Sequence, residues 1–235
     1  MTGPGPTLHR VTSLDPRLAS TTVAVLGGTG PQGRGLARRF AAAGIPVVIG
    51  SRSAERAEQA AKDLTNANAG AVSGTANQAA ARQGDVVIVA VPWDGHRELL
   101  ESLREALAGK VVVDCVNPIG FDKQGAYALA VEEGSAAQQA AAILAGSRVT
   151  AAFHHVSAVL LEDPEVEEVD TDVLVLGDDR EATDLVRALA DAVPGMRGIY
   201  AGRLRNAHQV EALTANLISV NRRYKAHAGL RVTDV

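Results

Sequence analysis

One stretch near the start of the chain restricts the fold more than any other. A short apolar run over residues 21–26 (TTVAVL) stops at Gly27-Gly28, and Gly28-Thr29-Gly30-Pro31-Gln32-Gly33 follows at once as G-x-G-x-x-G. The run is rich in β-branched residues and has no polar alternation, the pattern of a parallel strand covered on both faces. Pro31 suits the first turn of a helix, where its missing N–H costs nothing. The segment beyond it carries Leu36, Ala37 and Phe40 on one side and stops near Gly44. Strand, glycine loop and helix in that order are the setting in which this string holds a dinucleotide. Gly28 is expected to allow the tight turn, Gly30 to let the backbone approach a pyrophosphate, and Gly33 to permit close helix packing. The helix N-terminus then offers free N–H groups and partial positive charge to phosphates. A tight βα turn without a ligand is the alternative for the same residues.

The alternation continues. Strands are expected at residues 46–50, 85–91, 110–116, 148–153 and 172–176, and helices at 54–64, 96–108, 135–144 and about 180–193. Repeated βα units imply a Rossmann-type α/β fold, doubly wound around a mostly parallel sheet. From about residue 206 to 224 the pattern changes. Val210, Leu213, Leu217 and Tyr224 recur at helical spacing and make one long amphipathic helix. The expected division is a flexible leader over 1–20, with Gly3, Pro4, Gly5, Pro6 and Pro16; a dinucleotide-binding domain over 21–177; and a small C-terminal portion over 178–235.

Composition removes several classes of function. Basic and acidic residues number 23 and 27, a net charge of −4, which argues against nucleic acid or an anionic membrane as the main partner. Three Phe, three Tyr and one Trp leave little for stacking single-stranded bases. A single cysteine, Cys115, excludes an internal disulfide and a cysteine-built zinc site, and no bound metal is expected. No apolar run approaches the ~20 residues of a membrane span. A cytoplasmic, soluble protein is expected.

Two strand ends refine the ligand. About 20 residues beyond the loop, NAD-binding chains place an acid that accepts bonds from the ribose 2′-OH. Here Gly50-Ser51-Arg52-Ser53 stands instead, with Arg56 one helical turn on. A hydroxyl and guanidinium groups favour a 2′-phosphate, which a carboxylate would repel. NADP(H) is the expected dinucleotide. Ala90-Val91-Pro92-Trp93 closes another strand, and ligands in such sheets sit beyond the carboxyl ends. Val91 and Pro92 are placed on the ribose or nicotinamide side, with Trp93 either a cover or a plug.

Taken together, Val25-Leu26-Gly27-Gly28-Thr29-Gly30, Val48-Ile49-Gly50-Ser51-Arg52 and Val91-Pro92-Trp93 resemble the NADPH-dependent F420 reductases. The similarity runs on through Phe153-His154-His155-Val156-Ser157-Ala158, Gly177-Asp178-Asp179, Ala201-Gly202-Arg203-Leu204 and Glu211-Ala212-Leu213-Thr214. The resemblance implies reversible hydride transfer between NADP(H) and the deazaflavin coenzyme F420, in a homodimer. It puts residues 29–32 on the pyrophosphate, Ser51, Arg52 and Arg56 on the 2′-phosphate, Val91 at a strand-end contact and Ala158 near the nicotinamide. Pro31-Gln32, Asn117-Pro118 and Ser157 depart from the residues more usual there. Both coenzymes carry their own chemistry, so no nucleophile or triad is expected. His154, just past a strand end, is expected to hydrogen-bond the deazaflavin; His155 should face away, and Cys115 should be inert. Arg203, Arg205, Arg222, Arg223 and Lys225 are candidates for the anionic F420 tail. Two alternatives stay open: an NADP-dependent reductase of a small imine or hydroxy acid, disfavoured by the short C-terminal portion, and a non-enzymatic NADP(H) sensor.

Overall fold

Ten strands and eight helices alternate along the residues that the computed structural model describes, 14–67 and 70–235. In chain order they are β1 (Val23–Leu26), α1 (Pro31–Ala42), β2 (Val47–Ser51), α2 (Ala54–Asn66), β3 (Val72–Ala76), α3 (Asn77–Gln83), β4 (Val86–Val89) and α4 (His96–Leu107). Then come β5 (Val111–Asp114), β6 (Ile119–Asp122), β7 (Gly125–Ala128), α5 (Ala136–Ile143), β8 (Arg148–Ala151) and α6 (Ala158–Glu162). The chain ends with β9 (Thr171–Gly177), α7 (Arg180–Asp191), β10 (Met196–Gly202) and α8 (Ala207–Tyr224).

Eight strands form one sheet in the order β10-β9-β8-β5-β4-β1-β2-β3, and β6 pairs with β7 as a separate hairpin. All neighbours in the large sheet are parallel except β8 and β9. β1 shows why its residues read as an unbroken apolar run. Val23 and Val25 enter one core layer with Leu36 and Phe40 of α1. Ala24 and Leu26 enter the opposite layer with Leu100 and Leu103 of α4. Side chains alternate between faces, and helices cover both, so neither parity is polar.

The Rossmann-type expectation holds, with differences at the sheet margins. β3 (VSGTA) and β10 (MRGIYAG) were not anticipated. Both are edge strands, so their sequences lack the apolar run of a strand buried on two faces. β10 continues the main sheet, so residues 178–235 are not set apart from the dinucleotide-binding portion at 177. The expected leader is shorter than 20 residues: residues 15–20 form a turn that buries Leu18 completely. Residues 1–13 of that leader lie outside the described residues. The strand expected to run to Phe153 stops at Ala151, because Phe153 takes a left-handed backbone, φ 64°. The long C-terminal helix is present as α8.

Candidate active site

β1, β2, β4 and β5 are parallel, so their carboxyl ends open on one edge. Connections leave β1 toward β2 on one side while β4 lies on the other. Such a reversal of strand order leaves a crevice above the sheet, between β1 and β4. The glycine loop lies there. Its left-handed residue is Gly27, φ 74°, rather than Gly28; a Cβ on Gly27 would stand 2.4 Å from the Ala90 carbonyl oxygen. Gly33 packs as expected: a Cβ there would come within 2.8 Å of both Gly27 O and Gly28 Cα. Gly30 is different. The nearest protein atom to a Cβ on it would be 3.4 Å away, so protein packing does not explain the missing side chain. Gly30 is also the N-cap of α1, with no side-chain cap and no acid in the first turn. The first N–H groups of α1 are therefore open to an external anion.

Beside this loop lies a cavity of about 290 Å³. It brings together Gly30, Pro31 and Gln32 of the loop, Val91 and Pro92 beyond β4, and His154. Ala90, Cys115, Val116 and Asn117 complete its wall. Gly28, Thr29 and Gly33 belong to the same loop without lining the cavity. Ser51, Arg52 and Arg56 sit at the end of β2 on the same sheet edge. Ser51 is buried, its Oγ accepting from Ser53 N–H at 3.3 Å. Ser53 caps α2 through Arg56 N–H, and its hydroxyl donates to Glu55, which ties the nearest acid down. Arg52 and Arg56 are exposed and make no ion pair among the described residues. Ala158 is not brought to the cavity: it opens α6, which packs on α1. Trp93 does not cover it either; its indole tilts onto the buried His96 at 5.5 Å.

His154 is 3% exposed, and neither ring nitrogen has a partner. Burying polar atoms without hydrogen bonds is costly. Burial lowers its pKa to about 4, so the ring is neutral at pH 7 and presents one N–H donor and one acceptor. The backbone carbonyls of Phe153 and His154 are held. Gln32 donates to the Phe153 carbonyl at 3.1 Å, across 121 residues. Asn117 Nδ2 and the Thr214 hydroxyl both donate to the His154 carbonyl, at 2.8 and 3.2 Å. His155 lies beyond the end of β8 rather than on an extended strand; its Nε2 donates to the Asp172 carbonyl at 2.7 Å, and its Nδ1 has no partner. Cys115 gives its thiol proton to Val89 O at 3.1 Å, and burial pushes its pKa well above the ordinary thiol range. It is not a nucleophile.

Sequence reasoning missed the polar layer beneath the site. His96 bonds Gln139 Oε1 through Nδ1 at 2.9 Å and Asp114 Oδ2 through Nε2 at 2.6 Å. Burial opposes charging His96, but the Asp114 charge and these bonds outweigh it and raise its pKa. Asp114 Oδ1 accepts from Val116 N–H at 3.0 Å, fixing the cavity wall. Glu211 of α8, 2% exposed, accepts from Ala136 and Ala137 N–H at the start of α5, at 2.9 and 3.1 Å. Burial pushes its carboxyl up to about 7 against those two bonds.

Residues 22–118 match the family model described as NADP oxidoreductase coenzyme F420-dependent. The chain is 41% identical over 221 residues to the F420-dependent NADP reductase of Methanothermobacter thermautotrophicus, covering 91% of this chain and 95% of that protein. A solved structure from Arthrobacter sp. FB24, described as a candidate F420-dependent NADP reductase, superposes with a TM-score of 0.78 at 24% identity, over 91% of this chain and 99% of that one. A pyrroline-5-carboxylate reductase from Coxiella burnetii shares the fold at a TM-score of 0.60 and 15% identity; the match spans 88% of this chain but 67% of that one.

Proposed function

The chain belongs to the F420-dependent NADP reductase family, and from that premise we propose how its own residues carry the family's reaction. It is an oxidoreductase that moves a hydride between NADP(H) and the deazaflavin coenzyme F420. The observation that carries this reading is the 41% identity over nearly the whole length of a relative so named. Bound together, the two coenzymes supply the hydride donor and acceptor themselves. The protein's task is to bind, align and dry them.

The residues present fit both groups. The open N–H groups at the start of α1, with Gly30 leaving room for close approach, take the pyrophosphate through residues 28–33. Arg52 and Arg56, free of ion pairs among the described residues, take the 2′-phosphate with the Ser51 hydroxyl beneath them. Val91 and Pro92 give the nicotinamide side an apolar wall that excludes water. His154 offers its unpartnered ring to the deazaflavin. Because it is neutral, it steadies charge on that ring by hydrogen bonding rather than as a cation. Gln32, Asn117 and Thr214 hold the backbone on either side of it.

A homodimer in the cytoplasm completes the proposal. Tyr127 of the hairpin and Tyr224 of the neighbouring α8 are exposed aromatic side chains that support such an interface. No helix among the described residues is long and apolar enough to cross a membrane, and both coenzymes are hydrophilic and diffusible. Mixing the protein with NADPH and oxidised F420 and following the deazaflavin absorbance tests the activity: bleaching supports it, and an unchanged spectrum overturns it. Light scattering tests the dimer.

A further inference from the structure

Resting on that reading, we propose that Arg222 and Arg223 form a second subsite that holds the anionic tail of F420, the phosphate and glutamate carboxylates beyond the ribityl chain. The first cavity holds about 290 Å³, too little for a deazaflavin ring and its whole tail. The tail has to leave it. Two elements lead out from the residues around His154. Thr214 bonds the His154 carbonyl, and α8 runs on from it; Thr214, Ile218 and Arg222 follow at four-residue intervals and share a stripe. Asn117 lines the first cavity, and after Pro118 the chain enters β6, which carries Phe121. β7, the partner of β6, packs on α8.

Both routes end in a second cavity, of about 590 Å³, between the hairpin and α8. Its walls include Phe121, Gln124, Ile218, Arg222 and Arg223. Eight helical residues from Thr214 to Arg222 span about 12 Å at ~1.5 Å each. Four residues from Asn117 to Phe121 span about 13 Å at ~3.3 Å each. Both elements therefore lead from the residues around His154 to the second cavity over similar lengths of chain.

Charge removes Arg203 from the five basic candidates in the C-terminal segment, and place in the second cavity selects among the rest. Arg203 lies 3.7 Å from Asp178 Oδ1 and donates to the Asp178 carbonyl at 3.3 Å. Arg205 and Lys225 are not in the wall of the second cavity. Arg222 and Arg223 have no ion pair among the described residues and face a cavity. The one carboxylate on the facing hairpin, Asp122, accepts from the turn amides of Gln124 and Gly125 at 2.7 and 3.2 Å, so it is occupied by the turn. Arginines in a last helical turn also complement the helix dipole, but that role has no dependence on the substrate's tail.

The test compares F420 with the tail-less deazaflavin that keeps the ring and ribityl chain and lacks phosphate and glutamates. Reduction by NADPH is measured for the full-length wild type, for Arg222→Ala/Arg223→Ala and for Arg222→Lys/Arg223→Lys. In the wild type a lower KM for F420 than for the tail-less compound is expected, with the advantage shrinking as salt rises. The double alanine variant should lose that preference by about 10- to 100-fold, through KM rather than kcat, and the lysine variant should keep part of it. Equal KM values for both compounds in the wild type, or the same preference in the alanine variant, overturn the subsite while leaving hydride transfer in place. Reduction of neither compound by the wild type removes the functional reading itself, and the subsite with it.

Discussion

Replacing His154 with leucine should make the ligand-free protein more stable and the enzyme worse. The imidazole is buried with both nitrogens unpartnered, and such atoms cost about 1–3 kcal/mol. Leucine removes them at similar volume, and its poorer shape fit costs less than about 1.5 kcal/mol. Central values of the two leave a gain of about 1 kcal/mol at pH 7.5, or roughly 2–4 °C in Tm for a chain of this size. The gain depends on pH with a fixed sign. The folded His154 pKa is lowered by burial from 6.5 to about 4, so between those values the unfolded chain binds more protons. The wild type therefore loses stability as pH falls through that window. At pH 5 this loss is about 2 kcal/mol, and the leucine variant escapes it. Urea unfolding of both proteins at pH 7.5 and 5.0 reads the difference, in which groups common to both, such as Glu211, cancel. Hydride transfer to F420 is measured in parallel and should slow. A variant no more stable at either pH, with turnover intact, would refute the reasoning.

Three other outcomes follow from the same geometry. Arg52→Glu puts a carboxylate where the 2′-phosphate is expected; kcat/KM for NADPH should fall by about 10²–10³-fold while NADH is far less affected, and a parallel fall for both would contradict the assignment. Gly33→Ala forces a Cβ within 2.8 Å of Gly27 O and Gly28 Cα and should cost about 1–3 kcal/mol, read as a lower melting temperature. Glu211, with its carboxyl raised from 4.5 to about 7 by burial, contributes stability that is present at low pH and lost as pH rises through 7. Glu211→Gln should abolish that decline of about 3 kcal/mol, seen in denaturation profiles between pH 4.5 and 8.

What could be read from the sequence depended on how local its cause was. β1 and β4 announce themselves because both their faces are covered, which forces continuous apolar runs. β3 and β10 do not, because an edge strand has no such demand. The place of Arg52 and Arg56 just past the end of β2 was legible because the spacing from the glycine loop to that strand end is set by one βα unit. Gln32, Asn117 and Thr214 were visible as residues but not as a group. Their bonds to the carbonyls of Phe153 and His154 span 121, 37 and 60 residues, and no periodicity reports a contact of that kind. The pairing of Glu211 with the start of α5 is hidden for the same reason. Glu211 lies off the stripe of Val210, Leu213, Leu217 and Tyr224, on the side of α8 that buries Ala207 and Ala215, so that stripe gave no sign of it.

The turn at Phe153 shows how one strained residue separates the roles of two adjacent histidines. A strand continued through residue 155 would send His154 and His155 to opposite faces of the sheet, into two packed layers. Instead the left-handed backbone of Phe153 ends β8 and turns the chain over the crevice. A non-glycine residue in that conformation costs about 1–3 kcal/mol, so the surroundings must over-determine it. They do: the Phe153 ring is wholly buried and meets Phe40 edge-on at 5.8 Å, and its carbonyl is held by Gln32 of the glycine loop. His155 then reaches β9 and is spent on structure. Donors from the glycine loop, the end of β5 and α8 all go to backbone carbonyls, and both His154 ring nitrogens are left without a partner. Of the two adjacent imidazoles, His155 keeps a partner at Nε2 and His154 keeps none, which is why the ligand role proposed above falls to His154.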